Sequence, residues 1–249
     1  DTMDAVRDLY KGGKEIIYMT HVQFNGLTGN SWINVGSGAP EIADYVNKHN
    51  HVCLDLGQLI FTDTTTMTAD GPFQYNLHLL TGNKWINSDV ETETGSGIVP
   101  VHYKRTSYAN AIQWGIGLEL ALLIKNPYKV YLTTDHPNGG PFTEYPRVIA
   151  WLMSRRAREK TLARINRIAA GRLTLPGIDR EYTLYEIAII TRAGTAKCLG
   201  IDDVKGHLGV GADADISIYR IDPESMDPSR DYRKIRRAFR CLLYTSPSP

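Results

Sequence analysis

An α/β fold built from parallel βαβ units is predicted by three features of the sequence. β-rich runs alternate with amphipathic helical segments, polar residues cluster directly after the strands, and Gly/Pro-rich loops forbid those strands to continue. The expected strands number three in the first 142 residues, which is too few to close a barrel.

The first strand, Glu15 to Thr20, reads Glu-Ile-Ile-Tyr-Met-Thr and delivers His21, Val22, Gln23, Phe24, Asn25 and Gly26 to its end. A Gly/Asn/Ser loop leads to a helix from Pro40 to Lys48, with Ile42, Ala43 and Val46 on one face. His51 to Phe61 reads as a buried strand interrupted by Gly57. The long polar stretch that follows, 62–107, is expected to be an insertion with a function or with its own small hairpins. Ala109, Ile112, Ile116, Leu120, Leu123 and Ile124 recur at helical spacing and predict a helix from about Tyr108 to Ile124, stopped by Asn126-Pro127.

The third strand opens at Val130 and brings Thr133, Thr134, Asp135 and His136 to its end, where Pro137, Asn138, Gly139, Gly140 and Pro141 form a stiff loop. In an α/β barrel the loops at the carboxyl ends of the strands share one face, and catalytic groups sit there. The same stretch also suits a plain strand-to-helix turn with Asp135 as a capping residue. Pro146 starts a helix with Val148, Ile149, Leu152, Met153 and Ala157 on one side and a basic face of Arg155, Arg156, Arg158 and Lys160, read as solvated, on the other. Thr183-Leu184-Tyr185-Glu186 is a capping box opening a helix that runs to about Leu199 and stops at Gly200. Gly206 to Tyr219 is then a Gly-rich turn followed by a strand.

Composition narrows the function. Lys and Arg total 28 against 27 for Asp and Glu, so the formal net charge of +1 points away from nucleic acid. No apolar run approaches the ~20 residues of a membrane helix, and a cytoplasmic protein is expected. Cys53, Cys198 and Cys241 are scattered, which argues against a disulfide framework or a thiolate metal site; Cys53 and Cys198 read as small core residues. His49-Asn50-His51 has the spacing of a ligand pair but precedes a strand, so helix-end charge and a loop histidine are the expected roles. The chain opens inside an apparent helical segment, Met3 to Tyr10. Residues 241–249 resemble the translation of a sequencing adapter and are expected to be non-native and disordered.

Thr191 to Lys197, then Leu199-Gly200 and Gly206 to Ile216, resemble the closing element of the amidohydrolase superfamily, where the chain leaves the last barrel helix and returns to a small β-sandwich. A narrower resemblance, to the A subunits of archaeal formylmethanofuran dehydrogenases, rests on Thr20 to Asn25, Asp55 to Gln58, Thr64 to Pro72, Gln113 to Glu119 and Thr133 to Phe142. It implies the last three strands of an amidohydrolase-type (β/α)8 TIM barrel over 1–170, with the insertion at 62–107. The last barrel helix and part of the small β-domain follow over 171–240.

The implied chemistry is zinc-dependent condensation of formate with the amine of methanofuran, a small-molecule substrate, in methanogenic carbon dioxide reduction, and its reverse, formamide hydrolysis. A binuclear zinc site is implied in the full-length protein. Other formylmethanofuran dehydrogenase subunits are the implied partners, a tungsten or molybdenum pterin belonging to one of them. Mapped residue by residue, His21 falls at the sixth strand and Asp135 at the eighth, both as metal ligands, with Asp135 also moving protons. Gln23, Asn25, His136 and Asn138 stand nearby as binders of amide or formate, or as satisfiers of loop backbone. Asp55 and Gln58 suit either the same rim or core hydrogen bonding, and Asp213 and Asp215 are turn-forming residues. The remaining ligands do not map, so the chain by itself is expected to be inactive. The rival expectations are another zinc amidohydrolase acting on N-acyl or cyclic amides, a subunit of the related bacterial formyltransferase/hydrolase complex, and a non-catalytic scaffold.

Overall fold

A computed structural model describes residues 4, 7, 10, 12, 17–30, 34–68, 79, 97–222, 227, 231–240 and 242–245. Its first half runs β1 (Ile17–Met19), α1 (Val22–Asn25), β2 (Leu27–Thr28), β3 (Gly36–Ser37), α2 (Ala39–Lys48), β4 (Val52–Asp55), β5 (Asp63–Thr68) and β6 (Gly97–His102). Then come α3 (Tyr108–Leu123), β7 (Val130–Tyr131), α4 (Tyr145–Met153), α5 (Arg155–Leu162), α6 (Arg167–Ala170), α7 (Leu184–Ala188), α8 (Gly194–Leu199), β8 (Ser217–Tyr219), α9 (Tyr232–Arg240) and β9 (Leu242–Thr245).

The sheet that matters for function is parallel and three-stranded, in the order β1-β4-β7. Ile17 lies opposite Val52, and Leu54 opposite Val130. The crossovers β1–α2–β4 and β4–α3–β7 are the βαβ units that the alternating sequence pattern predicts. β4 is the middle strand and every one of its residues is buried, as a strand covered on both faces requires. It is shorter than the expected strand over 51–61. Gly57 turns the chain with a φ of 59°, and 56–61 continue as buried, non-strand backbone. An apolar run cannot by itself distinguish a ladder from other buried chain.

α3 carries the hydrophobic density of the fold. Ser107 Oγ accepts the Asn110 N–H at its start, and Trp114, Ile116, Leu118 and Leu120 are fully buried. Gly117 is required for packing rather than for a turn, because a Cβ there lies 2.2 Å from Gln58 Oε1. Glu119, also in the core, accepts from Ser37 Oγ and from the Leu175 N–H. Burial raises its carboxyl above the ordinary range, against the lowering effect of those hydrogen bonds.

At the other end of the sheet, Lys129 Nζ donates to Val46 O, His49 O and Asn50 Oδ1, so a buried ammonium satisfies the C-terminal carbonyls of α2. The His49 and His51 rings stand 5.5 Å apart, packed about Tyr45. β5 and β6 pair antiparallel from Asp63–His102 to Thr68–Gly97, so the insertion leaves and re-enters as the two arms of a hairpin. Its acidic run, Asp89 to Glu93, lies outside the described residues.

Two sequence expectations are corrected in the second half. The single helix expected from Pro146 is two helices, because extended backbone at Ser154 (φ −140°) breaks it and Ser154 Oγ caps α5 through the Ala157 N–H. Arg158 is not on a solvated face but fully buried. Its guanidinium donates to the carbonyls of Trp151, Ile178 and Arg180. The second correction concerns the tail, expected to be disordered: Leu242–Thr245 forms β9, antiparallel to β8. Leu-Leu-Tyr-Thr has high strand propensity, and β8 offers it a free edge.

The capping box is present as read, with Thr183 Oγ1 accepting from the Glu186 N–H and Glu186 Oε2 accepting from the Thr183 N–H. Between α7 and α8 the helix relaxes into a π turn, Ile189–Ala193, and the Ile190 carbonyl accepts the Leu132 N–H at 2.9 Å. That bond extends β7 onto the helix and steadies the chain just before Asp135. Asp213 and Asp215 pair with Lys205 Nζ at 2.7 and 2.5 Å, in keeping with a turn-forming role. Cys53 is a core residue as expected, whereas Cys198 is half-buried. Among the described residues no helix is long and apolar enough to cross a membrane.

Candidate metal centre

The carboxyl ends of β1, β4 and β7 converge, and each contributes one side chain. After β1 the chain turns at His21, whose backbone is left-handed (φ 50°, ψ 46°) and which caps the short α1. After β7 it turns at Asp135, also left-handed (φ 48°). Such backbone is uncommon for residues other than glycine, and histidine and aspartate are among those that adopt it most readily. The two turns aim their side chains at one another: His21 Nδ1 lies 3.4 Å from Asp135 Oδ2.

Asp135 is held from its own loop. Asn138 Nδ2 donates to its Oδ2 at 2.6 Å, and the Gly139 N–H donates to its carbonyl at 3.3 Å. Its Oδ1 receives no hydrogen bond from any described residue and remains available to water or substrate. Solvent reaches both partners, with 39% of the His21 side chain and 21% of Asp135 exposed. Tyr103, at the root of the insertion, stands close enough to feel this carboxylate. Burial first, and the charge of Asp135 second, hold its phenol above the ordinary value, so it stays protonated and able to donate.

β4 supplies Asp55, which is 1% exposed and receives hydrogen bonds from the ends of both neighbouring strands. Tyr18 Oη donates to Oδ2, while the His21 N–H (3.0 Å) and Thr133 Oγ1 (2.7 Å) donate to Oδ1. Thr133 Oγ1 in turn accepts the Gly57 N–H at 2.8 Å. Tyr18 is kept a donor by burial and by this hydrogen bond, which raise its phenol well above the usual range. His21 Nε2 is 3.8 Å from Asp55 Oδ1, a contact between charge and ring rather than a hydrogen bond.

The donor chemistry fits zinc. Imidazole nitrogen and carboxylate oxygen are ordinary zinc ligands, and two ligands each at about 2.0–2.1 Å from one tetrahedral ion stand roughly 3.3 Å apart. The 3.4 Å between His21 and Asp135 matches that spacing. The pair is not a complete site, since no group of three or more His, Cys, Asp or Glu able to hold a metal ion occurs among the described residues.

The other sequence candidates divide. Asn138 touches Asp135. His136 is exposed at the start of the loop, its ring edge-on to Phe142 at 5.1 Å, and Asn25 is exposed at the end of α1. Gln23 takes the second of its two expected roles: it is fully buried, and its Oε1 accepts the Leu59 N–H at 2.7 Å, so it satisfies backbone in the chain after β4. Gln58 is likewise internal, donating to Leu59 O and Trp114 O. Tyr18 and Tyr103 escaped sequence reading because a tyrosine in a β-rich run carries no mark of where its hydroxyl goes.

Gly57 makes the closeness possible. A Cβ on it sits 2.8 Å from the His21 Cβ, and its φ of 59° strains any other residue. Gly57→Ala is expected to lower stability by about 1–3 kcal/mol and to displace His21, read by denaturant unfolding together with zinc titration. An alanine variant with unchanged unfolding and zinc affinity contradicts this packing account.

Comparison with known proteins identifies the family and the fold. The model of the amidohydrolase family matches residues 1–240. The chain belongs to the amidohydrolase family. It is 55% identical over 228 residues to Protein FwdA of Methanocaldococcus jannaschii, covering 91% of this chain and 39% of that protein. It is 40% identical over 234 residues to the A component of the formyltransferase/hydrolase complex Fhc of Methylorubrum extorquens, covering 90% and 41% respectively. This amidohydrolase chain therefore spans about two-fifths of the length of the curated relatives it matches. The crystal structure of the FhcABCD complex from M. extorquens, solved with methylofuran, superposes with a TM-score of 0.81 at 36% identity over 99% of this chain and 43% of that one. With that match, the parallel sheet β1-β4-β7 and its helices are an arc of an amidohydrolase-type barrel, as the sequence predicts.

Proposed function

We infer that this amidohydrolase chain contributes His21 and Asp135 to the zinc centre of a formylmethanofuran dehydrogenase, in the component that joins formate to the amine of methanofuran and hydrolyses the resulting formamide. The observation that supports the reading is the His21–Asp135 pair, spaced like two ligands of one metal, in a chain 55% identical to Protein FwdA. The identity of 40% to the Fhc component makes the bacterial formyltransferase/hydrolase assignment the second reading. The partners in this proposal are the other subunits of a multisubunit complex, one of them carrying a tungsten or molybdenum pterin, in the cytoplasm.

Bound zinc supplies Lewis acidity toward the formyl oxygen. The residues of this chain do the rest. Asp135 Oδ1, unoccupied by any described donor, takes a proton from the water that adds to the formyl carbon, while Asn138 fixes the other carboxylate oxygen. The same Oδ1 returns the proton to the amide nitrogen as the C–N bond breaks, giving formic acid and the free amine, which separate as formate and ammonium. Condensation is the reverse: the amine surrenders a proton to Asp135, and the proton leaves with the departing water.

The test is formate release from N-formylmethanofuran, followed chromatographically with the protein purified in its native complex. Turnover that is lost on zinc chelation and recovered on zinc addition is expected. Hydrolysis of N-acyl amino acids or cyclic amides without release of formate from formylmethanofuran points to another amidohydrolase. No turnover of any amide by a zinc-loaded complex points to a scaffold.

A further inference from the structure

The geometry points to Asp55 as the positioning residue of this centre: its buried carboxylate sets the separation of His21 and Asp135 by tying both of their left-handed turns to the end of the middle strand. The inference rests on the zinc reading above and adds a residue to it. Asp55 touches neither substrate nor metal in this scheme.

Three observations carry it. First, Asp55 Oδ1 accepts the backbone N–H of His21 itself at 3.0 Å, and that bond holds the residue in its strained conformation. Second, the same oxygen accepts Thr133 Oγ1 at 2.7 Å, two residues before Asp135, so one atom governs the approach of both ligands. Third, the donors come from both strands that flank β4: Tyr18 from β1, His21 just beyond it, and Thr133 just beyond β7. A carboxylate needed only to fill a core position does not require donors from both neighbours, and an aliphatic residue of its size fills that space without any. Asp55 also faces the Nε2 edge of the His21 ring at 3.8 Å.

The inference is tested by zinc affinity, measured on folded protein in its native complex by competition with a chromophoric chelator. Asp55→Asn keeps the shape but presents an amide NH2 to hydrogen-bond donors, and is expected to weaken zinc binding about 10–100-fold, the range for outer-sphere partners of metal ligands. Thr133→Val, which removes the tie toward Asp135 together with the acceptor of the Gly57 N–H, is expected to weaken it roughly tenfold, and Thr133→Ser to restore it. A role in folding alone lowers the melting temperature without changing the affinity of the folded fraction, and the serine variant then has nothing to restore. Zinc affinity within threefold of the parent in Asp55→Asn, failure of serine to rescue, or a parent that binds no zinc each overturns the inference. Because no substrate enters the measurement, an error in the assignment of formylmethanofuran leaves this result untouched.

Discussion

Asp135→Asn is expected to abolish formyl transfer and formamide hydrolysis while leaving the fold intact. Asparagine tolerates the left-handed backbone that Asp135 adopts, and its carbonyl oxygen still accepts from Asn138 Nδ2, so the loop has no reason to rearrange. What disappears is an oxygen able to take up and return a proton. General acid–base contributions of about 10²–10⁴-fold are usual, and a weakened metal ligand adds to the loss, so a fall in kcat of at least roughly a thousandfold is expected. Activity within tenfold of the parent, at equal zinc content and an unchanged melting temperature, sinks the proposed role.

Arg158→Met carries the largest expected effect on stability. The guanidinium is buried, and desolvation pushes its pKa down to about 10, low for arginine yet still charged at neutral pH. It persists because it spends its donors on three backbone carbonyls: Trp151 near the end of α4, and Ile178 and Arg180 in the segment leading to the capping box. Methionine fills much of the volume but strands all three acceptors, and each buried acceptor left without a partner costs about 1–3 kcal/mol. A total loss of about 3–5 kcal/mol is expected, read as a lower midpoint in urea with an unchanged slope. Arg158→Lys is expected to recover only part of it, because an ammonium cannot serve three diverging carbonyls in the manner of the planar fork. A loss under 1 kcal/mol for methionine contradicts the carbonyl-locking account.

The fold was legible where local chemistry sets local structure. Ser107 and the apolar spacing of α3 announce that helix, and Thr183 with Glu186 announces α7, because caps and periodicity act over one or two turns. Strand extents were less legible. The run from His51 to Phe61 is apolar throughout, and only the turn at Gly57 separates ladder from buried coil. Arg158 was misplaced for a related reason: helical spacing assigned it to a basic face, while the break at Ser154 rotated α5 out of register with α4.

In the candidate site, place after strand ends and a family resemblance single out His21 and Asp135, and the structure brings the two within 3.4 Å of each other. Their left-handed turns were not foreseeable, since neither residue type requires them. Asp55 shows the limit most clearly. A buried aspartate in a β-rich run reads alike whether it accepts one hydrogen bond or gathers donors from both neighbouring strands, and only the parallel register of β1, β4 and β7 decides the matter.

That register has a consequence for the spacing of the pair. β1 and β7 flank β4, and with neighbouring strands about 4.8 Å apart the outer two are separated by roughly 9.6 Å. The donors they carry nevertheless meet at 3.4 Å, because both exits bend inward over the end of β4. The separation of His21 and Asp135 is therefore a property of these two exits and not of strand spacing alone, and Asp55, at the end of the strand between them, accepts hydrogen bonds from both.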